Sequence, residues 1–318
     1  MTAPDGTALE SELHRSFDPW VRDHAERIDG ISDIGYDPKR YPAQRLEESK
    51  TEAGLMKWVP SKVFLWVLRR KLVQVLRSQE KAERVIGTFG DVAPGVAELL
   101  DDGRSVALLT GHTDNLFDIA FALAGLQISF GSTRYIRRTG IIVNKLMTRE
   151  AFRGTPMVDT LKLLSNVYWV VPDTESTRRW IIPEEAARIV NSNALEALAE
   201  DLKRGVLVGV IPTGTAARHE VVDGELRLTM PHISPGTARL LARFDAFLPV
   251  AMWDDVPKAA PICADLRSAI DALAATTAQL AGASVAYHEP PVDGRPGADR
   301  LISASAMRPP ADSAGGGS

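Results

Sequence analysis

Apolar runs that alternate with helical stretches predict an α/β fold: a mixed, mainly parallel sheet flanked by helices, with an N-terminal helical subdomain ahead of it. Three observations carry this. Four strand-like runs occur, at 105–110 (SVALLT), 166–171 (NVYWVV), 206–211 (VLVGVI) and 247–252 (FLPVAM). The stretch 183–204 between two of them opens on Pro183-Glu184-Glu185 and closes on Lys203-Arg204-Gly205. Proline and acids at the start, bases and glycine at the end, are helix boundary signals. Finally, 56–85 places apolar residues at helical spacing, with Lys62, Arg69, Arg70, Lys71, Arg77 and Lys81 between them.

Taken in order, residues 1–100 form the helical region, 101–290 the α/β domain and 291–318 a flexible tail rich in Pro, Gly, Ser and Asp. Within the first, Pro60 suits a first helical turn. Its basic helix is expected to pack on the core with its charges in water; the sharper alternative lays it on anionic lipid. A chain of 318 residues, 45% apolar and 25% charged, has the composition of a soluble globular protein. The net charge of −4 argues against broad nucleic-acid binding, which needs a basic surface. The polar, acidic start lacks the apolar core of a secretory signal. The longest apolar runs, such as 63–68 and 206–211, fall far short of the ~18 residues of a membrane span. A cytoplasmic protein is expected, whose membrane contact is peripheral, at the inner face. The single cysteine, Cys263, has no disulfide or metal partner of its own kind and reads as structural.

In α/β sheets, sites gather at the carboxyl ends of strands. The first run leads into GHTDNLFD (111–118) and the third into PTGTAAR (212–218). His112 can act as a general base, with Asp118 or Asp114 fixing its tautomer and stabilising the imidazolium. Thr213, Gly214, Thr215 and Arg218 offer backbone N–H groups and a guanidinium to an anion. The blander reading makes Thr113, Asp114 or Asn115 a helix cap and Gly214 a backbone requirement. His219 and His232 read as surface or core residues, and no His/Asp/Glu spacing reads as a metal site.

The order of these blocks resembles the glycerolipid acyltransferase superfamily, and within it the plastid-type glycerol-3-phosphate acyltransferases. The resemblance covers roughly residues 55–290. It rests on the His112…Asp118 block, the stretch NSNALEALAEDLKRG (191–205), the turn Pro212-Thr213-Gly214-Thr215-Ala216-Ala217-Arg218, and LPVAMWDDVP (248–257). It implies transfer of a fatty acyl group from acyl-CoA or acyl carrier protein to a small acceptor alcohol such as glycerol 3-phosphate or a lysophospholipid. His112 would be the base, and no cofactor or metal is implied.

Three departures stand out. The family's acid lies five positions after the histidine, where this chain has Phe117; Asp118 follows one later. The second block runs into Pro172-Asp173-Thr174-Glu175 where the family has basic residues. Of the paired arginines of the third motif only Arg218 remains. A phosphomonoester needs several donors, so Arg137, Arg138, Lys145, Arg178 and His219 are the candidate substitutes, Arg137 and Lys145 foremost. Phe117, Tyr168 and Trp169 are candidate liners of an acyl groove. Alternatives are a non-catalytic lipid-binding relative, an acyltransferase with a non-phosphorylated acceptor, and a thioester hydrolase. The chain has no G-x-S-x-G elbow, which counts against the last.

Overall fold

A computed structural model describes residues 50–51, 61–111, 118–144, 166–170, 184–214, 217–290 and 297–303. In chain order these form β1 (Lys50–Thr51), α1 (Ser61–Leu76), α2 (Gln79–Thr88), α3 (Ala93–Asp101), β2 (Val106–Thr110), α4 (Asp118–Ser129), a 3₁₀ helix (Thr133–Arg138) and β3 (Thr139–Asn144). There follow β4 (Asn166–Val170), α5 (Glu184–Leu202), β5 (Leu207–Val210), β6 (Arg218–Val222), β7 (Glu225–Thr229) and α6 (Pro235–Leu241). The chain continues with β8 (Ala246–Trp253), β9 (Val256–Ala259), α7 (Leu266–Ala281), β10 (Ser284–His288) and β11 (Asp299–Ile302).

The main sheet has the order β1-β4-β3-β5-β2-β8-β9. Its interior pairs, from β4 to β8, are all parallel, and the edge strands β1 and β9 are antiparallel. A second sheet has the order β11-β10-β7-β6, with β10 and β7 parallel and the other pairs antiparallel. The chain is therefore α/β, with mixed sheets flanked by helices.

Successive residues of a strand face opposite sides. Val106 and Leu108 of β2 join one hydrophobic core with α1, α2, α3 and α4. Ala107 and Leu109 join the other, with α5, α6, α7 and the second sheet. A strand covered on both faces must be apolar throughout, and β2 and β5 are buried at every position. The helices of 61–101 thus form one wall of the α/β layer, and β1 extends its sheet. At the other end the boundary at 290 falls within folded chain, because Asp299–Ile302 pairs with β10.

The stretch read as helical over 56–85 is two helices where it is described. Arg77 adopts a left-handed φ of 51°, and the Ser78 side chain accepts from the Lys81 N–H to start α2. Beneath the sheet's amino ends, Arg138 ties three elements together. Its guanidinium donates to the carbonyls of Gly205 at 2.9 Å, Arg204 at 3.0 Å and Leu100. Carbonyls at helix ends lack intrahelical donors, and Arg138 supplies them after α3 and α5. Gly205 sits here at φ 69°; an added Cβ would lie 2.5 Å from the Gly103 carbonyl carbon and 2.7 Å from Arg138 Nη2. Gly205→Ala is expected to destabilise the protein by about 2–4 kcal/mol through strain and clash together. Chemical denaturation would register this as a lowered midpoint; an unchanged midpoint would refute the junction's role.

Candidate functional site

The two strands that precede the motifs, β2 and β5, are parallel neighbours in the sheet. In β2, Leu109 is opposite Val210 of β5, and Thr110 is opposite Val250 of β8. On the far side of β5, Ile141 of β3 is opposite Gly209, and Asn144 of β3 is opposite Val170 of β4. The carboxyl ends of β4, β3, β5, β2 and β8 therefore lie along one edge. His112 follows two residues after the end of β2. Pro212 and Thr213 follow β5, its immediate neighbour, about 4.8 Å away across a sheet.

The turn after β5 is closed by the Gly214 N–H donating to the Ile211 carbonyl at 3.1 Å, with Pro212 in the second position, where its fixed φ suits such turns. Gly214 has φ 65° and nothing within 4 Å of an added Cβ. Backbone conformation, not packing, requires glycine there. The Gly214 N–H, one of the groups offered to an anion by the sequence, is here engaged in closing the turn. Thr213 is half-buried and Gly214 exposed beside it.

Asp118 opens α4 and is fully buried. The helix is buried without a break from Asp118 to Gln127, so it is apolar around its whole circumference except at its ends. It reaches the sheet closely because β5 carries Gly209, where a Cβ would stand 3.0 Å from the Ile119 side chain. That contact fixes the start of α4 against β5. A carboxylate in so apolar a setting is costly without compensation. The positive end of the helix dipole supplies part of it.

Arg218 begins β6 and is exposed. It belongs to a hairpin whose two-residue turn, Asp223-Gly224, has φ of 53° and 79°, the double left-handed geometry that matches strand twist. His219 stacks on Trp253 at the carboxyl end of β8, with ring centroids 5.8 Å apart and 29° between planes. This contact holds the start of β6 by the same edge as the ends of β2 and β5.

Other sequence candidates are not brought here. Arg137 lies before β3, at the amino ends of the strands, and its carbonyl accepts from Asn166 Nδ2 at 3.3 Å. The whole length of β3 separates it from the carboxyl edge. Arg138 is committed to the helix-end carbonyls. Tyr168 is fully buried, its hydroxyl donates to Asp201, and burial raises its pKa far above the phenol's ordinary value. It is a core residue and does not line a groove. His112, Asp114, Lys145, Thr215, Phe117 and Arg178 lie outside the described residues.

Cys263 forms a backbone bridge to Phe247, with both N–H···O distances 2.8 Å. Burial, then Asp265, pushes its thiol up, away from reactive thiolate chemistry. Sequence spacing missed one group: His232, His288 and Asp299 converge on the second sheet, their candidate ligand atoms all within 4.8 Å of one another. They lie far apart in the chain, and strand pairing assembles them. Compared with protein-family models the chain matches none, and it matches no curated protein.

Proposed function

We propose that the chain is an acyltransferase that moves a fatty acyl group from acyl-CoA or acyl carrier protein to a hydroxyl acceptor. Glycerol 3-phosphate and lysophospholipids are the acceptors that the motif order suggests. The observation that carries this is the parallel adjacency of β2 and β5, the strands that precede GHTDNLFD and PTGT in the chain, together with the burial of Asp118 at the start of α4. In the proposed reaction His112 takes the acceptor's hydroxyl proton as the oxygen attacks the thioester carbonyl. The tetrahedral intermediate then expels the thiolate, which takes that proton from the imidazolium. The carboxylate of Asp118 orients the ring, and Arg218 meets an anionic part of one substrate. The test is thiol release from palmitoyl-CoA by purified protein, with and without glycerol 3-phosphate. Release that depends on the acceptor supports the reading; none from any acyl donor and acceptor pair would point to a non-catalytic relative.

An acceptor of lower charge is the second reading, favoured by the placement of the cations. Arg137 and Arg138 lie at the opposite end of the sheet, which leaves Arg218 as the described arginine at the motif edge. Parallel assays with a non-phosphorylated alcohol separate the two.

Among the described residues no helix is long and apolar enough to cross a membrane. Access to lipid is proposed through the outer face of α1, as a cytoplasmic protein resting on the inner leaflet. Val63 and Trp66 are 49% and 56% exposed there, and the Arg70 guanidinium stacks 4.8 Å over the Trp66 ring. Lys62 and Lys71 flank them, exposed. In a chain of net charge −4 this face is a local cationic surface with an aromatic anchor, suited to an anionic bilayer. The pair Trp66→Ala and Arg70→Glu is expected to lower co-sedimentation with phosphatidylglycerol-containing vesicles by about tenfold, since each basic residue near such a surface contributes ~1 kcal/mol. Equal binding by the variant would exclude this face.

A further inference from the structure

We infer that His232, His288 and Asp299 form a binding site for one divalent transition-metal ion of the zinc class, separate from the proposed acyl-transfer edge. The three residues come from three adjacent chain segments of the second sheet. His288 and Asp299 are directly opposed in the antiparallel β10–β11 register. His232 follows β7, the parallel neighbour of β10, and the Met230 N–H donates to the Ala286 carbonyl at 2.8 Å just before it. The two imidazole rings stand 4.3 Å apart with 30° between their planes. His288 Nδ1 lies 2.9 Å from Asp299 Oδ1.

Zinc takes imidazole nitrogens and carboxylate oxygens at about 2.0–2.2 Å, so ligand atoms in its shell lie roughly 3.3 Å apart. Side-chain rotations of about an ångström close the present spacing, within 4.8 Å, to that value. Two imidazoles and one carboxylate suit zinc, nickel or copper, whereas calcium and magnesium prefer all-oxygen shells. His232 and Asp299 are exposed, which leaves an entry path and room for water in the remaining position. Neither histidine takes part in the acyl-transfer chemistry.

The ion would have a mechanical consequence. β11 is a four-residue edge strand with Asp299, Arg300 and Leu301 exposed. It is held by pairing to β10 and by the Arg300–Glu289 ion pair at 2.5 Å. A metal bridging His232, His288 and Asp299 adds a clamp across all three segments.

The experiment titrates tag-free, full-length protein with zinc alone by calorimetry and follows backbone amide exchange over 299–302. The expected result is one zinc ion per chain at micromolar concentration and slower exchange in β11 when it is bound. Affinity should fall at least tenfold in Asp299→Asn, a change at an exposed side chain, and further in His232→Ala/His288→Ala. Magnesium should do neither. Circular dichroism confirms that the variants are folded. The site is overturned if wild-type protein takes up no zinc, or if both variants bind it as the wild type does. Binding without slower exchange at 299–302 overturns the clamp.

Discussion

Replacing His112 by alanine is expected to lower acceptor-dependent thiol release from palmitoyl-CoA by about 10³-fold while leaving the denaturation midpoint near that of the wild type. A positioned general base contributes roughly 10²–10⁴ in rate, and 10³ corresponds to about 4 kcal/mol of transition-state stabilisation. The residue follows β2, which is flanked in the sheet by β5 and β8. That is the interior of the sheet, where hydrophobic cores cover both faces. His112→Gln keeps a polar side chain of similar reach without a base and should be as inactive. Each outcome points to a different protein. Acceptor-dependent release lost in the variant supports the transferase. Acceptor-independent release lost in the variant points to a hydrolase or to an acceptor not yet supplied. Release undiminished in the variant removes His112 from the chemistry.

The legible parts of the fold were those with two buried faces. The runs at 105–110, 166–171, 206–211 and 247–252 became β2, β4, β5 and β8 within a residue or so. Burial on both sides leaves no room for polar residues, so such strands stand out. The second sheet did not, because β6 (RHEVV) and β7 (ELRLT) carry exposed and half-exposed charges, and β11 is exposed for three of its four residues. β3 (TGIIVN) begins with Thr and Gly, so its sequence does not stand out as a strand either. Without β3, Arg137 and Lys145 read as equivalent candidates; the strand puts Arg137 at the amino ends, a full strand length from the carboxyl edge. That each motif follows the carboxyl end of a strand could be read from the sequence. The commitment of the Gly214 N–H to its own turn, the burial of Tyr168 against Asp201, and the convergence of His232, His288 and Asp299 could not. Each depends on pairing between segments that are distant in the chain or on the closure of a particular turn.

Asp118→Asn is expected to lower kcat by about 10²-fold or more with little change in KM. The amide has the carboxylate's size and can keep its hydrogen-bond geometry, so the substitution removes charge and little else. If Asp118 orients the His112 ring and stabilises the imidazolium, the loss falls on the transition state, where that charge develops. The competing account makes Asp118 an acid placed at the positive end of α4 for stability alone. Such an acid contributes about 0.3–2 kcal/mol to folding and nothing to kcat. The pH profile separates the two. A carboxylate beside an imidazole favours the protonated ring and so raises its pKa. Removing the carboxylate lowers that pKa, and the ascending limb of kcat against pH should move to lower pH even as its plateau falls. A helix-end acid would leave the limb in place and shift only the denaturation midpoint. Asp114→Asn, made in parallel, should leave both kcat and the limb close to wild type. If the two variants exchange behaviour, the positioning role passes to Asp114, and the burial of Asp118 belongs to the stability of α4.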